Sequence, residues 1–277
     1  MEPIRLNKFL AERLGVSRRE ADDLIASGKI LVNGKKAELG EKVAKNDKVC
    51  YNKKIVPFET DFSYLAFNKP VGYVCSRKAQ GQAATLYELL PAKYRHLKTV
   101  GRLDKDSSGL ILLTNDGDFA FQMTHPKFHK QKIYEVELDK TLQPLHQQMI
   151  SDYGVTLDDG PSKFTVIKGL SDASFSRDIS GFANPETYIP DATEKVAQRA
   201  TFPGSPVYDV EGEQVHLEKR HSDSPAIYTV ILSEGRNRQI RRTFAALGYR
   251  VVKLHRISFG KYQLGNLAPG QFEEFKI

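Results

Sequence analysis

The chain has no tryptophan and only two cysteines in 277 residues. Cys50 and Cys75 form no Cys-x-x-Cys pair, which argues against a structural zinc site. They give no disulfide framework either, so a reducing compartment is expected. No apolar run approaches the length needed to cross a bilayer. The opening Met1-Glu2-Pro3-Ile4-Arg5 lacks the apolar core of a secretory signal. These absences lead to the expectation of a soluble, cytoplasmic, monomeric protein with no membrane partner. Acidic residues are also in deficit, 34 against 41 Lys and Arg, for a net charge of +7. That excess suits a polyanionic partner, although many basic proteins have none.

The composition is otherwise that of a globular protein, 40% hydrophobic and 27% charged. The length suits one large domain and one small one. Residues 1–58 read as a compact basic module. Leu6, Phe9, Leu10 and Leu14 recur with helical spacing, and Gly15 ends that helix. Ser17-Arg18-Arg19-Glu20 is a capping box opening a second helix to about Ser27, with Ala21, Leu24 and Ile25 inward. Asn33-Gly34 marks a hairpin turn. Arg5, Lys8, Arg18, Arg19 and Lys29 would then project as a phosphate-tracking surface. Residues 53–62, with Pro57 and no periodicity, read as a linker.

The rest, residues 62–277, reads as a second domain of many strands and few helices. The predicted class is α+β on a mixed, mainly antiparallel sheet. Strands are expected at Tyr64 to Asn68, Leu110 to Leu113, Lys132 to Leu138 and Ala226 to Leu232. Helices are expected at Thr141 to Ile150 and Asn237 to Leu247. Residues 170–224 stand apart, with 10 Asp and Glu against 5 Lys and Arg. So acidic a segment is poorly suited to lie on RNA phosphates. It reads as a surface insertion with a possible hairpin at Val207 to Val215.

Three segments carry chemistry. Gly101-Arg102-Leu103-Asp104 sets a carboxylate beside an arginine, just before an apolar strand. Tyr134 lies on an alternating strand. Ser233-Glu234-Gly235-Arg236-Asn237-Arg238-Gln239-Ile240-Arg241-Arg242 packs four arginines into seven residues. Together, in this order, they resemble the signature of the pseudouridine synthases of the RsuA type. Asn68-Lys69-Pro70-Val71-Gly72 matches an early motif of the same family. The N-terminal module resembles the αL RNA-binding domain first known from a small-subunit ribosomal protein, on Ser17-Arg18-Arg19-Glu20-Ala21 and Val32-Asn33-Gly34.

The resemblance implies an RNA-modifying isomerase. It would break the N1–C1′ bond of one uridine in ribosomal RNA, turn the base and rejoin it through C5. That change has no net redox, so no nicotinamide or flavin is implied, and no metal. Asp104 would be the catalytic carboxylate, acting as nucleophile or as base. Arg241 would be the cation that keeps it ionised. Tyr134 would stack on the uracil and assist proton loss at C5, and Ile240 would floor the pocket. Arg102 would fill the gap left by the flipped nucleotide. Arg236, Arg238 and Arg242 would contact phosphates or form a solvated face.

Blander readings stand beside these. On spacing alone Tyr134 can be a packed strand aromatic, and Ile240 is a core residue on any reading. The pattern Asp104-x-Asp106-x-Ser108-Gly109 imitates a calcium loop, but its twelfth position is Asn115 rather than Glu. Asp106, Asp116 and Asp118 read as turn and cap residues. His125 and His129 have metal-like spacing but are interrupted by Pro126. Gly72-Tyr73-Val74-Cys75-Ser76, Leu254-His255-Arg256 and Leu267-Ala268-Pro269-Gly270 look closest to the small-subunit branch. Asp158-Asp159-Gly160-Pro161 looks more like a large-subunit branch. A non-catalytic ribosome-assembly protein of the same fold and a nucleoside hydrolase are the competing classes.

Overall fold

The computed structural model describes residues 2–59, 61–77, 81–168 and 226–277. The acidic segment at 170–224, with its expected hairpin at 207–215, therefore lies outside the described residues.

The N-terminal module contains β1 (Ile4–Arg5), α1 (Leu6–Arg13), α2 (Arg18–Ala26), β2 (Ile30–Val32), β3 (Lys35–Lys36), β4 (Lys42–Val43), β5 (Val49–Tyr51) and β6 (Lys54–Ile55). The capping box is formed: Ser17 Oγ accepts from Glu20 N at 3.1 Å, and Glu20 Oε2 accepts from Ser17 N at 2.7 Å. That satisfies two donors the first turn of α2 would otherwise leave open. Asn33 and Gly34, both with positive φ (51° and 83°), close the β2–β3 hairpin, as a tight primed turn requires. Leu6, Phe9, Leu10, Ala21, Ile25, Ile30 and Val49 form one closed apolar cluster. The expected linker at 53–62 differs from what is found. Lys54–Ile55 pairs with β5, and Val56 and Phe58 pack on the N-terminal core. Three apolar side chains in an aperiodic stretch conceal a strand too short to show alternation.

The larger domain is built on β7 (Tyr64–Lys69), β8 (Lys98–Val100), β9 (Ser108–Thr114), β10 (Lys132–Leu138), β11 (Val155–Leu157), β12 (Gly160–Ser162), β13 (Thr165–Lys168), β14 (Ala226–Leu232), β15 (Val251–Phe259), β16 (Tyr262–Gln263) and β17 (Phe272–Glu274). Its α-helices among the described residues are α3 (Gly117–Thr124), α4 (Pro144–Gln148) and α5 (Gln239–Ala246). The main sheet runs β13-β14-β10-β15-β9-β7-β17, with β16 beside β15 and β8 beside β9. Every pairing in it is antiparallel except β9 with β15. The fold is α+β. The expected helix at 141–150 starts later, at Pro144, and passes into a π-helical turn at Met149–Tyr153. Proline is favoured in a first helical turn and disfavoured further in, so Pro144 sets that start.

The run Leu110 to Leu113 is apolar throughout because both faces of β9 are covered. Ile111 and Leu113 join the large cluster with Tyr134, Val230 and Phe244, while Leu110 and Leu112 join Phe119, Met123 and Phe259 on the other face. In the chain the acidic segment falls between β13 and β14, which pair from Thr165↔Ile231 to Lys168↔Tyr228. The modules touch where Lys98 Nζ donates to Val16 O at 2.9 Å and Lys8 Nζ pairs with Asp118 at 2.5 Å.

Candidate active site

Asp104 sits on the turn between β8 and β9. That turn is gripped from several sides. Ser107 N donates to Asp104 O at 3.1 Å and Gly72 N to Lys105 O at 2.8 Å. Leu103 N and O both meet Cys75 Sγ, at 3.4 and 3.3 Å. Lys69, fully buried at the end of β7, donates from Nζ to Ser107 O at 2.6 Å and to Pro70 O at 3.0 Å. Burial pushes the Lys69 ammonium below its ordinary value, while Cys75, Asp104 and Asp106 act to hold its proton. A lysine closing an apolar strand just before proline was the sequence signal for this support. It reads there as no more than a turn.

The Asp104 side chain is 34% exposed and faces a cleft of about 300 Å³. The cleft is lined by Arg102 and Asp104 from the turn, Lys132 and Tyr134 from β10, Glu234 to Ile240 from the start of α5, and Arg256 and Phe259 from β15. Tyr134 and Ile240 are buried, with 7% and 4% exposure, while Arg102 is exposed at the rim. A register shift between Ile133 and Tyr134 interrupts the β10–β15 ladder where Tyr134 meets the cleft. Irregularities of this kind re-aim side chains beside sites.

The arginines are arranged differently from the expectation. The guanidinium nearest Asp104 is that of Arg238, 3.8 Å away. Arg238 takes a left-handed backbone (φ 47°, ψ 30°) at the head of α5, sparsely populated for a residue with a Cβ. It holds Asp106 with two hydrogen bonds of 3.0 and 2.9 Å. Arg241 lies beneath, its Nε 3.3 Å from the Asp106 carboxylate, donating to Asp106 O and Val251 O at 2.8 Å each. Arg241 thus faces the backbone and carboxylate of Asp106, two residues beyond the expected partner. An arginine reach of several ångströms makes the choice between Asp104 and Asp106 invisible in sequence. Burial pushes the Asp106 carboxyl up, but the Arg238 hydrogen bonds and the Arg241 charge outweigh it, leaving a lowered pKa. Asp106 is therefore an ion-pair hub of the site, where the sequence suggested a turn residue.

Arg236 and Arg242 also depart from a free, solvated face. Arg236 pairs with Asp159 at 2.9 Å and donates to Gly160 O and Pro161 O. Arg242 reaches Asp159 at 2.6 Å. Asp159 is held below the usual carboxylate range by the Arg242 hydrogen bond, with Arg236 adding charge. Together they tie the β11–β12 hairpin to α5. In the N-terminal module Arg5, Arg18, Arg19 and Lys29 are exposed. Lys8 instead sits between Asp118 and Glu12, 3.9 Å from the latter. Arg256, Lys132 and Lys69 were not singled out in the sequence as site residues. Lys69 and Lys132 are each the one cation of an apolar or alternating strand, which is the signal that could have found them, whereas Arg256 shares its strand with Lys253.

Among the described residues no group of three or more His, Cys, Asp or Glu is placed to hold a metal ion, and no helix is long and apolar enough to cross a membrane. The arrangement can hold a planar base against Tyr134, over an apolar floor, beside an ionisable carboxylate. Residues 4–56 match the S4 domain, and residues 63–246 match the RNA pseudouridylate synthase family. A ribosomal small subunit pseudouridine synthase A from Salmonella typhimurium is 32% identical over 97% of this chain and 95% of its own length. A ribosomal large subunit pseudouridine synthase B from Bacillus subtilis is 30% identical over 98% and 91%. A crystal structure of a pseudouridylate synthase shares the fold, with a TM-score of 0.58 at 24% identity, over 99% of this chain and 96% of that one. A carboxylate on a braced turn, a buried tyrosine opposite it and a match over most of the chain converge on one conclusion: this protein belongs to the RNA pseudouridylate synthase family and carries an N-terminal S4 domain.

Proposed function

We propose that the protein converts one uridine of ribosomal RNA, in the small subunit, to pseudouridine, with Asp104 as the catalytic carboxylate. The observation that carries this reading is the half-exposed Asp104 on its braced turn, sharing one cleft with Tyr134 and Ile240. In this reading the exposed cations of residues 1–58 dock the RNA by its phosphates. The larger domain, from about residue 62, receives the flipped nucleotide. Unstacking costs a few kcal/mol, which the basic module offsets. Arg102, exposed at the cleft rim, occupies the space the base vacates. Tyr134 stacks on the uracil and Ile240 supports it. Asp104 either adds to the nucleotide or removes a ribose proton, and the base, freed from C1′, turns and rejoins through C5. Arg238 is the cation positioned to support the Asp104 charge, and Arg241 does so through Asp106. Arg236 and Arg242 tie the β11–β12 hairpin to α5, whose leading residues line the cleft.

The test is pseudouridine mapping, by carbodiimide labelling and primer extension, on unmodified small- and large-subunit ribosomal RNA incubated with the protein. One new stop in small-subunit RNA is expected. Asp104→Asn should lose it while keeping RNA affinity within about twofold. A stop only in large-subunit RNA would move the substrate to the other branch, to which the Asp158-Asp159-Gly160-Pro161 hairpin bears a likeness. Undiminished activity of Asp104→Asn would remove Asp104 from the mechanism.

A further inference from the structure

Besides Arg102 at the exposed rim, two cations in the cleft have no carboxylate among the described residues to neutralise them. Lys132 opens β10, two residues before Tyr134, so the two side chains share a face of the sheet. Arg256 on β15 lies directly across from Tyr134. Both cations flank the Phe259 ring, with Lys132 Nζ 5.3 Å and Arg256 Cζ 4.9 Å from its centroid. Arg256 is 2% exposed, and its Nε donates to Leu110 O at 2.7 Å. Its Nη2 is buried and has no hydrogen-bond partner among the described residues. Among the described residues Lys132 donates only to the backbone oxygen of Glu234, at 3.2 Å. The Glu234 carboxylate is taken by Gln239 and, at 3.5 Å, by Arg236. Among the described residues neither Lys132 nor Arg256 has an acidic group within 4 Å.

A buried guanidinium with an open donor is costly unless something completes it. A second cation beside it raises that cost. Burial, followed by the repulsion of Arg256, brings the Lys132 pKa down to about 8, against a smaller opposing pull from Glu234. An anion that arrives with the substrate relieves both. RNA brings one phosphate per nucleotide. Residues two apart on a strand are separated by about 6.6 Å, which suits a base on Tyr134 with its own backbone phosphate at Lys132.

We infer that Lys132, backed by Arg256, is a phosphate-binding site inside the cleft that takes a backbone phosphate flanking the target uridine. The inference rests on the base being held at Tyr134, as proposed above. It gives Lys132 the task of fixing the nucleotide along the strand, so that C1′ stays level with Asp104. Arg256, held by Leu110 O, supplies the field and the open donor.

The test uses full-length protein and short RNAs carrying the mapped uridine, with a neutral methylphosphonate replacing the phosphate on its 5′ side or on its 3′ side. Dissociation constants are read by fluorescence anisotropy. One of the two replacements is expected to weaken wild-type binding about tenfold. In Lys132→Gln, unmodified RNA should bind about tenfold more weakly, and the same replacement should add less than twofold. An unchanged thermal midpoint for Lys132→Gln confirms that it folds. The inference fails if neither replacement weakens the wild type, or if the full penalty persists in Lys132→Gln. A wild type that forms pseudouridine at the mapped uridine yet binds both methylphosphonate RNAs as tightly as the unmodified RNA refutes the phosphate site and leaves the proposed reaction standing.

Discussion

Gly109→Ala tests how the catalytic turn is joined to the sheet. Gly109 follows Ser108 at the start of β9, where that strand runs parallel to β15, paired with Arg256. Its φ is +105°, and a Cβ there would lie 2.5 Å from Arg256 N, 2.8 Å from its carbonyl carbon and closer still to its carbonyl oxygen. All of these are backbone atoms, so no side chain can swing aside. Two costs follow. The backbone conformation costs a residue with a Cβ about 1–3 kcal/mol, and the overlap costs about 1–3 kcal/mol more as the strands are forced apart. The sum, about 2–6 kcal/mol, is a large share of the ~5–15 kcal/mol by which a domain is stable.

The assay is urea unfolding followed by far-ultraviolet circular dichroism, with Gly248→Ala as the reference. Gly248 also has positive φ (79°), yet a Cβ there meets nothing within 4 Å, so only the backbone cost applies. With a urea slope of about 1–3 kcal/mol per molar, a loss near 4 kcal/mol lowers the Gly109→Ala midpoint by about 1.3–4 M, against about half of that for Gly248→Ala. Separating the strands should also break the 2.8 Å hydrogen bond between Ser108 Oγ and His255 Nδ1, so activity should fall even where the variant stays folded. Equal midpoints for the two variants would refute the claim that β9 and β15 approach too closely for a side chain.

Two further predictions concern the cleft. Tyr134→Phe keeps the buried ring and removes only the hydroxyl. Single-turnover rates should therefore fall by about 10²-fold or more, the scale of a lost proton-transfer group, with RNA affinity unchanged; loss of affinity with an intact rate would make Tyr134 a packing residue only. Asp106 is paired in the folded protein and its pKa is lowered, so the unfolded chain takes up that proton first. Its contribution is present above about pH 4, the ordinary aspartate value, and is lost as pH falls through the folded value. Asp106→Asn should flatten that part of a thermal-midpoint profile between pH 6 and 3, and an unchanged slope would show that the Arg238 and Arg241 pairs add nothing.

Much of the architecture was legible because local chemistry and tertiary packing agree. Ser17 and Glu20 cap α2 through contacts three residues apart, and Asn33-Gly34 needs only its own backbone to turn. Leu110 to Leu113 is apolar on both faces because β9 is covered on both. What was hidden depends on groups brought from far along the chain. Lys54–Ile55 is a strand because β5 is there to pair with it, and nothing in its own pattern says so. Lys69 reads as a turn residue until Ser107 is seen above its ammonium.

The arginine cluster shows the same limit at the site itself. Four guanidiniums within seven residues announce an anion-rich neighbourhood, and in the structure part of that charge is met from within the chain. Asp159 holds Arg236 and Arg242, and Asp106 is shared by Arg238 and Arg241. Each arginine spent on an internal carboxylate fixes geometry and is withdrawn from RNA. Cations without carboxylate partners are then the better guide to where phosphate binds. In the cleft, among the described residues, these are Arg102 at the exposed rim and, deeper, Lys132 and Arg256, which sit in strands rather than in the basic run. Counting positive residues along the sequence locates the site, whereas counting unmatched charges in the structure locates the substrate's backbone within it.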